Sequence, residues 1–241
     1  MKTFSICIPV YKMKNNLCER FLVEVLSHLF FQSFKDFEVI VSDQSEDDNL
    51  KDICKIFSFT MDIKHVRNTS GKKTAANNVN NAIRHATGKI VKLLYVDDFF
   101  IDSNALKKIK DSFELNPEKK WLIAGYVNCD QDRTTYFNPR MPRYDQTFVN
   151  GDNSTGNPSN YSVRRECALE MDENLLWIVD GEYFHRSYYH YGYPIMIPEI
   201  MVSFRQHDES KFLDPKFQEL DAKERQYCVD KYSREIDLKL I

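Results

Sequence analysis

The segment KIVKLLYVDDFFID, Lys89–Asp102, joins an apolar run of strand type to two adjacent aspartates. Residues 89–96 have the length and the composition of a buried strand. Asp97 and Asp98 end it, and no lysine or arginine stands beside them in the sequence. Like charges at one point repel each other. The pair is therefore either a solvated turn, where aspartate is common, or a site at which something cationic binds.

Strand and helix patterns alternate along the first hundred residues. Strand-like runs cover Phe4–Val10, Phe37–Asp43 and, more weakly, Met61–Val66; helical apolar spacing covers Leu17 to about Gln32, Leu50–Phe57 and Ala75–Ala86. Gly88 is expected to cap the third helix. This alternation predicts an α/β fold, with a mostly parallel sheet flanked by helices on both faces.

Ligands of such sheets bind beyond the carboxyl ends of the strands. The segments expected there are Pro9–Tyr11, Asp43–Ser45, Gly71–Thr74 and the Asp97–Asp98 pair. Paired carboxylates offer the hard oxygen ligands that suit Mg²⁺ or Mn²⁺ bound to phosphate oxygens. A cation there would neutralise the charge of a departing diphosphate. The position of the two aspartates favours a cation site over a solvated turn.

The second half of the chain is less regular. The expected elements are a strand at Trp121–Cys129, a helix that begins near Asp180, a strand at Ile195–His207 and a charged helix from Pro215 to about Leu238. We expect the last helix to be solvated, rather than docked on a membrane, and to pack through Phe217, Leu220, Tyr227 and Ile236. The sequence has no evident repeat or linker, so we predict one domain over residues 1–241.

Composition excludes several classes of protein. The 42% hydrophobic residues, with 17 Phe and 13 Tyr, exclude a disordered chain, and the net charge of −3 provides no basic field for nucleic acid. Six cysteines without a CxxC pair speak against a zinc or redox motif and fit free thiols in a reducing compartment. The apolar runs are shorter than the roughly 18 residues of a membrane span, and the N-terminus lacks the pattern of a signal peptide. These features predict a cytoplasmic protein.

Polar residues near the predicted ligand edge each have a functional and an ordinary interpretation. Asp43 accepts hydrogen bonds from a base or a ribose, or it caps a helix. Asp180 is a general base or another helix cap, and Glu182 competes with it for the role of base. His207 is a metal ligand that favours Mn²⁺, or an ordinary histidine. Lys73 precedes a helix N-terminus that favours anions, but a P-loop is excluded because its first glycine is missing.

Three collinear segments together resemble family 2 glycosyltransferases with the GT-A fold. FSICIPVYK at residues 4–12 is similar to the family's SIIIPVYN, and FEVIVSDQSEDD at residues 37–48 is similar to FEIIVVDDGSTD. NNAIRHATGKIVKLLYVDD at residues 80–98 is similar to N.GI..A.GEYI..LDADD. The resemblance implies a Rossmann-like GT-A sheet. Residues 1–100 would form the nucleotide-sugar-binding half, and residues 101–241 an irregular half with the acceptor site and the catalytic base.

By position, the resemblance also implies roles for individual residues. Asp97 and Asp98 match the family's DxD-type motif, with Asp98 as the direct metal ligand, and His207 matches a histidine that completes the metal site. Asp43 would hold the uracil of a UDP-sugar. The other residues implied to contact the nucleotide are Pro9, Val10, Tyr11, Lys73, Asn77 and, through its backbone, Val96.

The catalytic base of the family lies in an element that begins with Glu-Asp and continues to an arginine. VDGEYFHR at residues 179–186 is similar to it, with Asp180 as the aspartate, Arg186 as the arginine and Val179 in place of the glutamate. The resemblance thus implies a metal-dependent inverting glycosyltransferase. It would use Mn²⁺ or Mg²⁺ to move a sugar from a UDP-sugar to a hydroxyl of a glycan or other acceptor. The loop Pro139–Asn160 would close over both substrates.

Two other functions stay open at this point. A sugar nucleotidyltransferase also combines an α/β sheet with a carboxylate-bound metal, but it usually has a glycine-rich loop after the first strand, where this chain has PVYKMKNN. A non-catalytic nucleotide-sugar-binding protein is favoured by Val179, which lacks the carboxylate of the family's glutamate. Binding of UDP without transfer to any acceptor would distinguish this second alternative.

Overall fold

The computed structural model describes residues 1–144, 153–209 and 215–237, without the side chains of residues 215–218 and 233–237. The strands are β1 (Phe4–Val10), β2 (Phe37–Asp43), β3 (Ile63–Arg67), β4 (Ile90–Leu93), β5 (Phe99–Phe100), β6 (Trp121–Cys129), β7 (Tyr136–Arg140), β8 (Tyr161–Arg164) and β9 (Ile195–Arg205). In this part of the chain they form one nine-stranded sheet in the order β3-β2-β1-β4-β8-β6-β9-β5, with β7 paired to β6.

Strands β1 to β4 form a parallel half of the sheet, as predicted. β1 and β2 are buried along their whole length, which explains their unbroken apolar character. Their registers place Val10 beside Asp43, and Asp43 beside Arg67. The carboxyl ends of these strands therefore meet at one edge, the ligand edge of the sheet. Asp97 and Asp98 follow β4 at the same edge.

Helices cover both faces of the sheet. They are α1 (Leu17–Phe30), α2 (Asn49–Phe57), α3 (Ala75–Arg84), α4 (Ala105–Leu115), α5 (Val179–Tyr191) and α6 (Pro215–Asp237). Helices α1, α2 and α4 contribute to the core on one face, and α3, α5 and α6 to the core on the other. Within β1, Phe4 and Ile6 belong to the first core and Cys7 to the second, as the two-residue period of a strand requires. The predicted α/β class is confirmed.

The second half of the sheet mixes parallel and antiparallel pairs. β8 lies between β4 and β6 and runs antiparallel to both. β9 runs parallel to β6, and the short β5 pairs antiparallel with β9. Because β5 begins directly after Asp98, the pairing of Phe99 with Ser203 holds the two aspartates beside the end of β9. This pairing brings His207 to the ligand edge, although it follows Asp97 by 110 residues in the chain.

The structure corrects the predicted role of Gly88. Helix α3 ends at Arg84 with His85 as its C-cap, so Gly88 does not cap it. Gly88 instead packs against β1, where a Cβ would lie 2.5 Å from the carbonyl carbon of Phe4 and 2.6 Å from the nitrogen of Ser5. Its N–H also donates to Ser5 Oγ at 2.8 Å. Glycine is required here because two backbones approach closely.

One described α-helix and three described strands lie outside the predicted set: α4, β5, β7 and β8. Helix α4 buries Ala105, Leu106, Ile109 and Phe113 at helical spacing, but charged residues surround these positions and hide the pattern. β5 and β8 are short and depend on their partner strands rather than on their own sequence. The predicted loop Pro139–Asn160 includes residues 145–152, which lie outside the described residues.

Helix α6 confirms the predicted C-terminal helix, and the structure describes two of the four side chains predicted to pack it. Among the predicted packing residues, Leu220 is half-buried and Tyr227 is 37% exposed, while the side chains of Phe217 and Ile236 lie outside the described ones. The side chains of α6 that are buried instead are Glu224, Cys228 and Tyr232. The helix therefore docks through polar as well as apolar contacts. Among the described helices, none has the length and apolar character needed to cross a membrane.

Candidate functional site

The turn after β4 buries Asp98 and leaves Asp97 partly open. The N–H of Asp98 closes the turn by donating to the carbonyl of Tyr95 at 3.1 Å. Asp98 is only 2% exposed, and both of its carboxylate oxygens accept hydrogen bonds: Oδ1 from the N–H of Arg205 at 3.1 Å and Oδ2 from Asn157 Nδ2 at 2.8 Å. Burial, together with the charge of Asp97, raises the pKa of the Asp98 carboxyl well above its usual range. Asp98 is thus a supported, buried group.

Asp97 faces His207 across the ligand edge. Asp97 Oδ2 lies 3.2 Å from His207 Nε2, and the Asp97 side chain is 26% exposed. The imidazole is buried, with its ring centroid 5.2 Å from that of Phe21. Its Nδ1 accepts the N–H of Glu209 at 3.2 Å. One carboxylate and one imidazole therefore converge at a point that solvent reaches.

Arg205 fixes the backbone of this turn. Its Nε donates to the carbonyl of Asp97 at 3.0 Å, and its Nη1 donates to the carbonyl of Gln131 at 3.1 Å. Its Nη2 forms an ion pair with Glu24 Oε2 at 2.6 Å, and the guanidinium stacks 4.3 Å from the centre of the Phe21 ring. The aspartate turn is thereby tied to α1, to the end of β6 and to β9.

The segment that holds Asp98 from the other side is anchored by a buried lysine. Ser159 Oγ accepts the N–H of Tyr95 at 2.8 Å, and Asn157 Oδ1 accepts the N–H of Ser159 at 2.8 Å. The ammonium of Lys92 donates to the carbonyls of Ser159 and Tyr161. Burial lowers the pKa of Lys92 to about 7. β4 therefore positions Asn157 as well as the aspartates.

Asp180 approaches the same turn from α5. It is the second residue of the helix, is half-buried, and its Oδ1 accepts a hydrogen bond from the hydroxyl of Tyr95 at 3.4 Å. Tyr95 stands two residues before Asp97 in the aspartate turn. The tyrosine therefore links the proposed base to the candidate cation site.

Glu182, the competing candidate for the base, is engaged elsewhere. It is buried, and its Oε1 accepts hydrogen bonds from Arg186 Nε at 2.7 Å, from Lys231 Nζ at 2.7 Å and from the hydroxyl of Tyr232. These partners belong to α5 and α6. A carboxylate that is buried and engaged by two cations and a hydroxyl is not open to a substrate hydroxyl. The geometry favours Asp180.

Asp43 ends β2 beneath the surface of the ligand edge. Its side chain is fully buried; Oδ1 accepts the N–H of Ser45 at 2.8 Å, and Oδ2 lies 2.9 Å from His65 Nε2 and 3.0 Å from Arg67 Nη1. Burial raises the pKa of Asp43, but the hydrogen bonds from His65 and Ser45 and the charge of Arg67 outweigh it, so the pKa lies below its usual value. Asp43 is an anion that orients a histidine and an arginine.

The residues at the end of β1 and after β4 line this edge. Pro9, Val10 and Val96 are buried, and the carbonyl of Val10 accepts from the N–H of Gln44 at 3.0 Å. Tyr11 is 42% exposed. Partial burial of its hydroxyl and the charge of Asp97 raise the pKa of Tyr11 to about 12. The tyrosine therefore stays protonated near the aspartate turn.

Asn77 and Lys73 have different environments. Asn77 is buried in α3, where its Oδ1 accepts from Asn68 Nδ2 at 2.9 Å and its Nδ2 donates to Glu173 Oε2 at 3.1 Å. Lys73 is exposed and pairs with Glu46 Oε1 at 2.9 Å. Asn77 therefore belongs to a buried amide network, whereas Lys73 lies at the surface.

Sequence reasoning missed Tyr95, Asn157 and Arg205 as parts of the site. Arg205 carried a signal, because it is a charged residue in an apolar strand and stands two positions before His207. Asn157 carried none, because its role depends on a contact with a residue 59 positions away.

The parallel β1–β4 half and the carboxylates at its ligand edge define a glycosyltransferase fold of the GT-A type. Residues 5–170 match the family described as Glycosyl transferase family 2, and the chain belongs to this family. The resemblance seen in the first hundred residues is thereby confirmed and extended to residue 170.

Two curated relatives carry glycosyltransferase names. The chain is 25% identical over 134 residues to glycosyltransferase GlyG of Streptococcus pneumoniae serotype 4 (strain ATCC BAA-334 / TIGR4), a match that covers 55% of this chain and 42% of GlyG. It is 30% identical over 94 residues to the putative glycosyltransferase EpsE of Bacillus subtilis (strain 168), covering 38% of this chain and 34% of EpsE. The chain thus spans less than half the length of each relative that it matches.

Solved structures share the fold. The S. aureus TarS fragment 1-349 in complex with UDP-GlcNAc has a TM-score of 0.69 at 18% identity, over 87% of this chain and 60% of that one. The mannosyltransferase PcManGT from Pyrobaculum calidifontis, in complex with GDP-Man and Mn²⁺, has a TM-score of 0.61 at 15% identity, over 87% and 58%. At these identities the likeness establishes the GT-A architecture.

Proposed function

We propose that this chain transfers a sugar from a nucleotide sugar, of the UDP-sugar class, to a hydroxyl of a glycan or other acceptor, with inversion at the anomeric carbon. The observation that carries the proposal is the pairing of Asp97 with His207 at the ligand edge, which suits a cation. Asp180, which suits a proton, meets the same turn through Tyr95, two residues before Asp97. Structures of similar fold were solved with UDP-GlcNAc and with GDP-Man, and this supports a nucleotide-sugar donor.

Asp97 and His207 fit a divalent cation, Mn²⁺ or Mg²⁺. One carboxylate and one imidazole, 3.2 Å apart, form the mixed set that favours Mn²⁺. Among the described residues there is no cluster of three or more metal-binding side chains, so diphosphate oxygens and water would complete the coordination. When bound, the cation would act as a Lewis acid that neutralises the charge of the leaving diphosphate.

We assign the direct ligand to Asp97, whereas the sequence resemblance pointed to Asp98. Both oxygens of Asp98 are occupied by protein donors, and its burial keeps solvent and diphosphate away. Asp98 would instead hold the turn in the conformation that presents Asp97. Ligation through His207 Nε2 requires the tautomer with the proton on Nδ1, so the N–H of Glu209 would lose its acceptor on binding.

Asp180 is proposed to accept the proton of the acceptor hydroxyl as that oxygen attacks the anomeric carbon. Tyr95 would orient the carboxylate through its hydroxyl, which donates to Oδ1. Because the acceptor oxygen would form its bond on the face of the anomeric carbon opposite to the bond that breaks to the diphosphate, the product would have the inverted configuration. Glu182 is left to hold α5 against α6.

The nucleoside would lie along the ends of β1, β2 and β4. Asp43 is proposed to act on uracil through His65 and Arg67, which it orients, since its own carboxylate is buried. Pro9, Val10, Tyr11 and Val96 would form the floor. Lys73 and Asn77 keep their proposed places near the nucleotide. Within this proposal, residues 1–100 bind the donor, and residues 101–241, with the loop Pro139–Asn160, bind the acceptor.

A non-catalytic nucleotide-sugar-binding protein is a second candidate, and Val179 is the observation that favours it. Val179 is the first residue of α5 and is buried in the core, and its side chain has no carboxylate. In this case UDP would bind, and no UDP-sugar would be turned over with any acceptor or with water.

Calorimetric titration of UDP, with and without Mn²⁺, tests the proposed cation site. We expect Mn²⁺-dependent binding by the wild type and a loss of at least about tenfold in affinity for Asp97→Ala, since a removed ligand costs more than about 1.4 kcal/mol. Asp62→Ala is the matched control, because Asp62 precedes β3 at the opposite edge of the sheet and its side chain is 58% exposed. Absence of UDP binding under every condition would contradict the nucleotide-sugar proposal.

Release of UDP from a panel of UDP-sugars, UDP-GlcNAc first, tests catalysis. Asp180→Asn should bind UDP and Mn²⁺ like the wild type and lose turnover by about 10²-fold or more. Equal turnover in the variant would refute Asp180 as the base. Binding without turnover in the wild type would favour the non-catalytic alternative.

A further inference from the structure

The turn that leads into α5 is held by a residue of α6. Leu176, Trp177 and Ile178 precede the helix, and their three N–H groups donate to the carboxylate of Glu224. The distances are 2.9 Å to Oε1 and 3.0 Å, twice, to Oε2. Glu224 is buried. A carboxylate with three backbone donors is a strong, charge-assisted anchor.

Other residues of α6 continue this anchor along one face of the helix. Asp221 Oδ1 accepts from the indole of Trp177 at 3.0 Å. Lys231 Nζ lies 2.8 Å from Asp172 Oδ2 and 2.7 Å from Glu182 Oε1. Residues 221, 224, 228, 231 and 232 follow the three- and four-residue spacing of one helical stripe. The stripe holds the start and the first turn of α5.

The anchored turn is continuous with the proposed base. Ile178 donates its N–H to Glu224, and its carbonyl accepts the first helical N–H, that of Glu182, at 3.0 Å. Asp180 lies between these two points and reaches Tyr95 at 3.4 Å. A shift of the turn would therefore move Asp180 relative to the aspartate turn. Misplacement of a catalytic group by about 1 Å costs on the order of 10²-fold in rate.

We propose that Glu224 is a positioning residue for Asp180, and that α6 sets the catalytic competence of the site without contacting substrate. The inference rests on the proposed function, since it takes Asp180 as the base. It adds a requirement from helix α6, which lies outside residues 5–170, the part of the chain that matches the family. The requirement is specific: loss of Glu224 impairs turnover and leaves the donor side intact.

Glu224→Gln tests the proposal, because glutamine keeps the size of the side chain but turns an NH₂ group toward backbone donors. With the UDP-sugar that shows turnover, we expect kcat to fall at least about tenfold. KM for the donor and the Kd of UDP with Mn²⁺ should stay within about twofold. Glu219→Gln is the matched control, since Glu219 is exposed on the same helix and undergoes the same change of charge. A kcat within about twofold of the wild type would overturn the proposal.

A double-mutant cycle separates positioning from general destabilisation. If Glu224 acts through Asp180, the double variant Asp180→Asn with Glu224→Gln should have the residual activity of Asp180→Asn alone. A further tenfold loss would show that Glu224 acts elsewhere and would overturn the proposal. If Glu224→Gln fails to fold, Trp177→Phe weakens the same attachment, because it removes the indole N–H that donates to Asp221 together with part of the ring. That variant should also lose kcat with unchanged UDP affinity, and an unchanged kcat would count against the inference.

The role of Asp180 as the base and the positioning role of Glu224 can be refuted separately. Full activity of Asp180→Asn would refute the proposed base, and the inference with it. Loss of activity in Asp180→Asn with full activity in Glu224→Gln would refute the inference alone and leave the proposed function standing.

Discussion

Lys92 leads to a quantitative prediction about stability. Its side chain is 1% exposed, and its ammonium donates to the carbonyls of Ser159 and Tyr161, in the segment that also brings Asn157 to Asp98. Burial lowers the pKa of Lys92 from 10.5 to about 7, against the opposing effect of the charge of Asp98. The unfolded chain has the ordinary value. Above about pH 7 the folded protein therefore binds fewer protons than the unfolded chain.

The direction in which the free energy of unfolding changes with pH follows from the linkage between proton binding and folding. Because the unfolded state binds more protons, the free energy of unfolding rises with pH above about pH 7, by at most about 1.4 kcal/mol per pH unit. Between about pH 7 and about pH 8.5 the folded-state lysine goes from half charged to nearly neutral, which adds between about 1 and 2 kcal/mol. The window ends there because buried thiols such as Cys7, with a pKa raised above its ordinary 9.0 by burial, destabilise the fold once the unfolded thiols ionise.

Urea denaturation of Lys92→Met at these two pH values measures the effect. Methionine keeps the length of the side chain without the charge, so the gain of about 1 to 2 kcal/mol should be absent from this variant. Lys89→Met is the control, because Lys89 is an exposed lysine three positions earlier, and it should keep the gain of the wild type. The prediction is contradicted if the free energy of unfolding of Lys92→Met changes between the two pH values as much as that of the wild type does.

Three further substitutions test other contacts. Asp98→Ala leaves donors of Arg205 and Asn157 without an acceptor, so it should lower the free energy of unfolding, measured in urea, by about 2–4 kcal/mol. Asp97 is partly exposed, and Asp97→Ala should change this free energy by less than about 1 kcal/mol. Equal losses in the two variants would contradict the separate roles of the two aspartates. Gly88→Ala places a Cβ against the backbone of β1 and should lower the free energy of unfolding by more than about 2 kcal/mol, which lowers the Tm by at least about 4 °C. An unchanged Tm would show that β1 adapts to the added Cβ. Tyr95→Phe should lower kcat about 3- to 10-fold and leave the affinity for UDP unchanged, because Asp180 loses the hydrogen bond from the Tyr95 hydroxyl. A loss of UDP affinity instead would place Tyr95 in the nucleotide site.

The sequence predicts best those elements whose burial is complete and regular. β1 and β2 have the bounds that their apolar runs indicated, because both faces of these strands are covered. Helix α4 was missed because its apolar positions stand among lysines and acidic residues. β5 and β8 could not be found locally, since a strand of two or four residues is defined by the strands beside it.

The site shows the same division between local and distant causes. The turn after β4 was located correctly as part of the ligand edge, because the alternation of strands and helices fixes where carboxyl ends lie. The orientation of its two carboxylates was not predictable. Asp98 points inward because Asn157 and the backbone of Arg205 offer donors there, and those residues lie 59 and 107 positions away. Tertiary contacts, rather than the local sequence, decide which of the two adjacent aspartates faces solvent.

The docking surface of helix α6 also depends on partners that lie far away in the sequence. Apolar spacing selected Phe217, Leu220, Tyr227 and Ile236, while the described docking stripe contains an aspartate, a glutamate and a lysine that look like a solvated face. These charges are buried or shielded because their partners are backbone N–H groups, Trp177, Asp172 and Glu182, all outside the helix. A charged residue can thus be a docking residue wherever the opposite surface offers backbone or side-chain N–H donors. The start of α5 is such a surface. For this reason Glu224, which we expect to position Asp180, is buried although its hydropathy predicts an exposed residue.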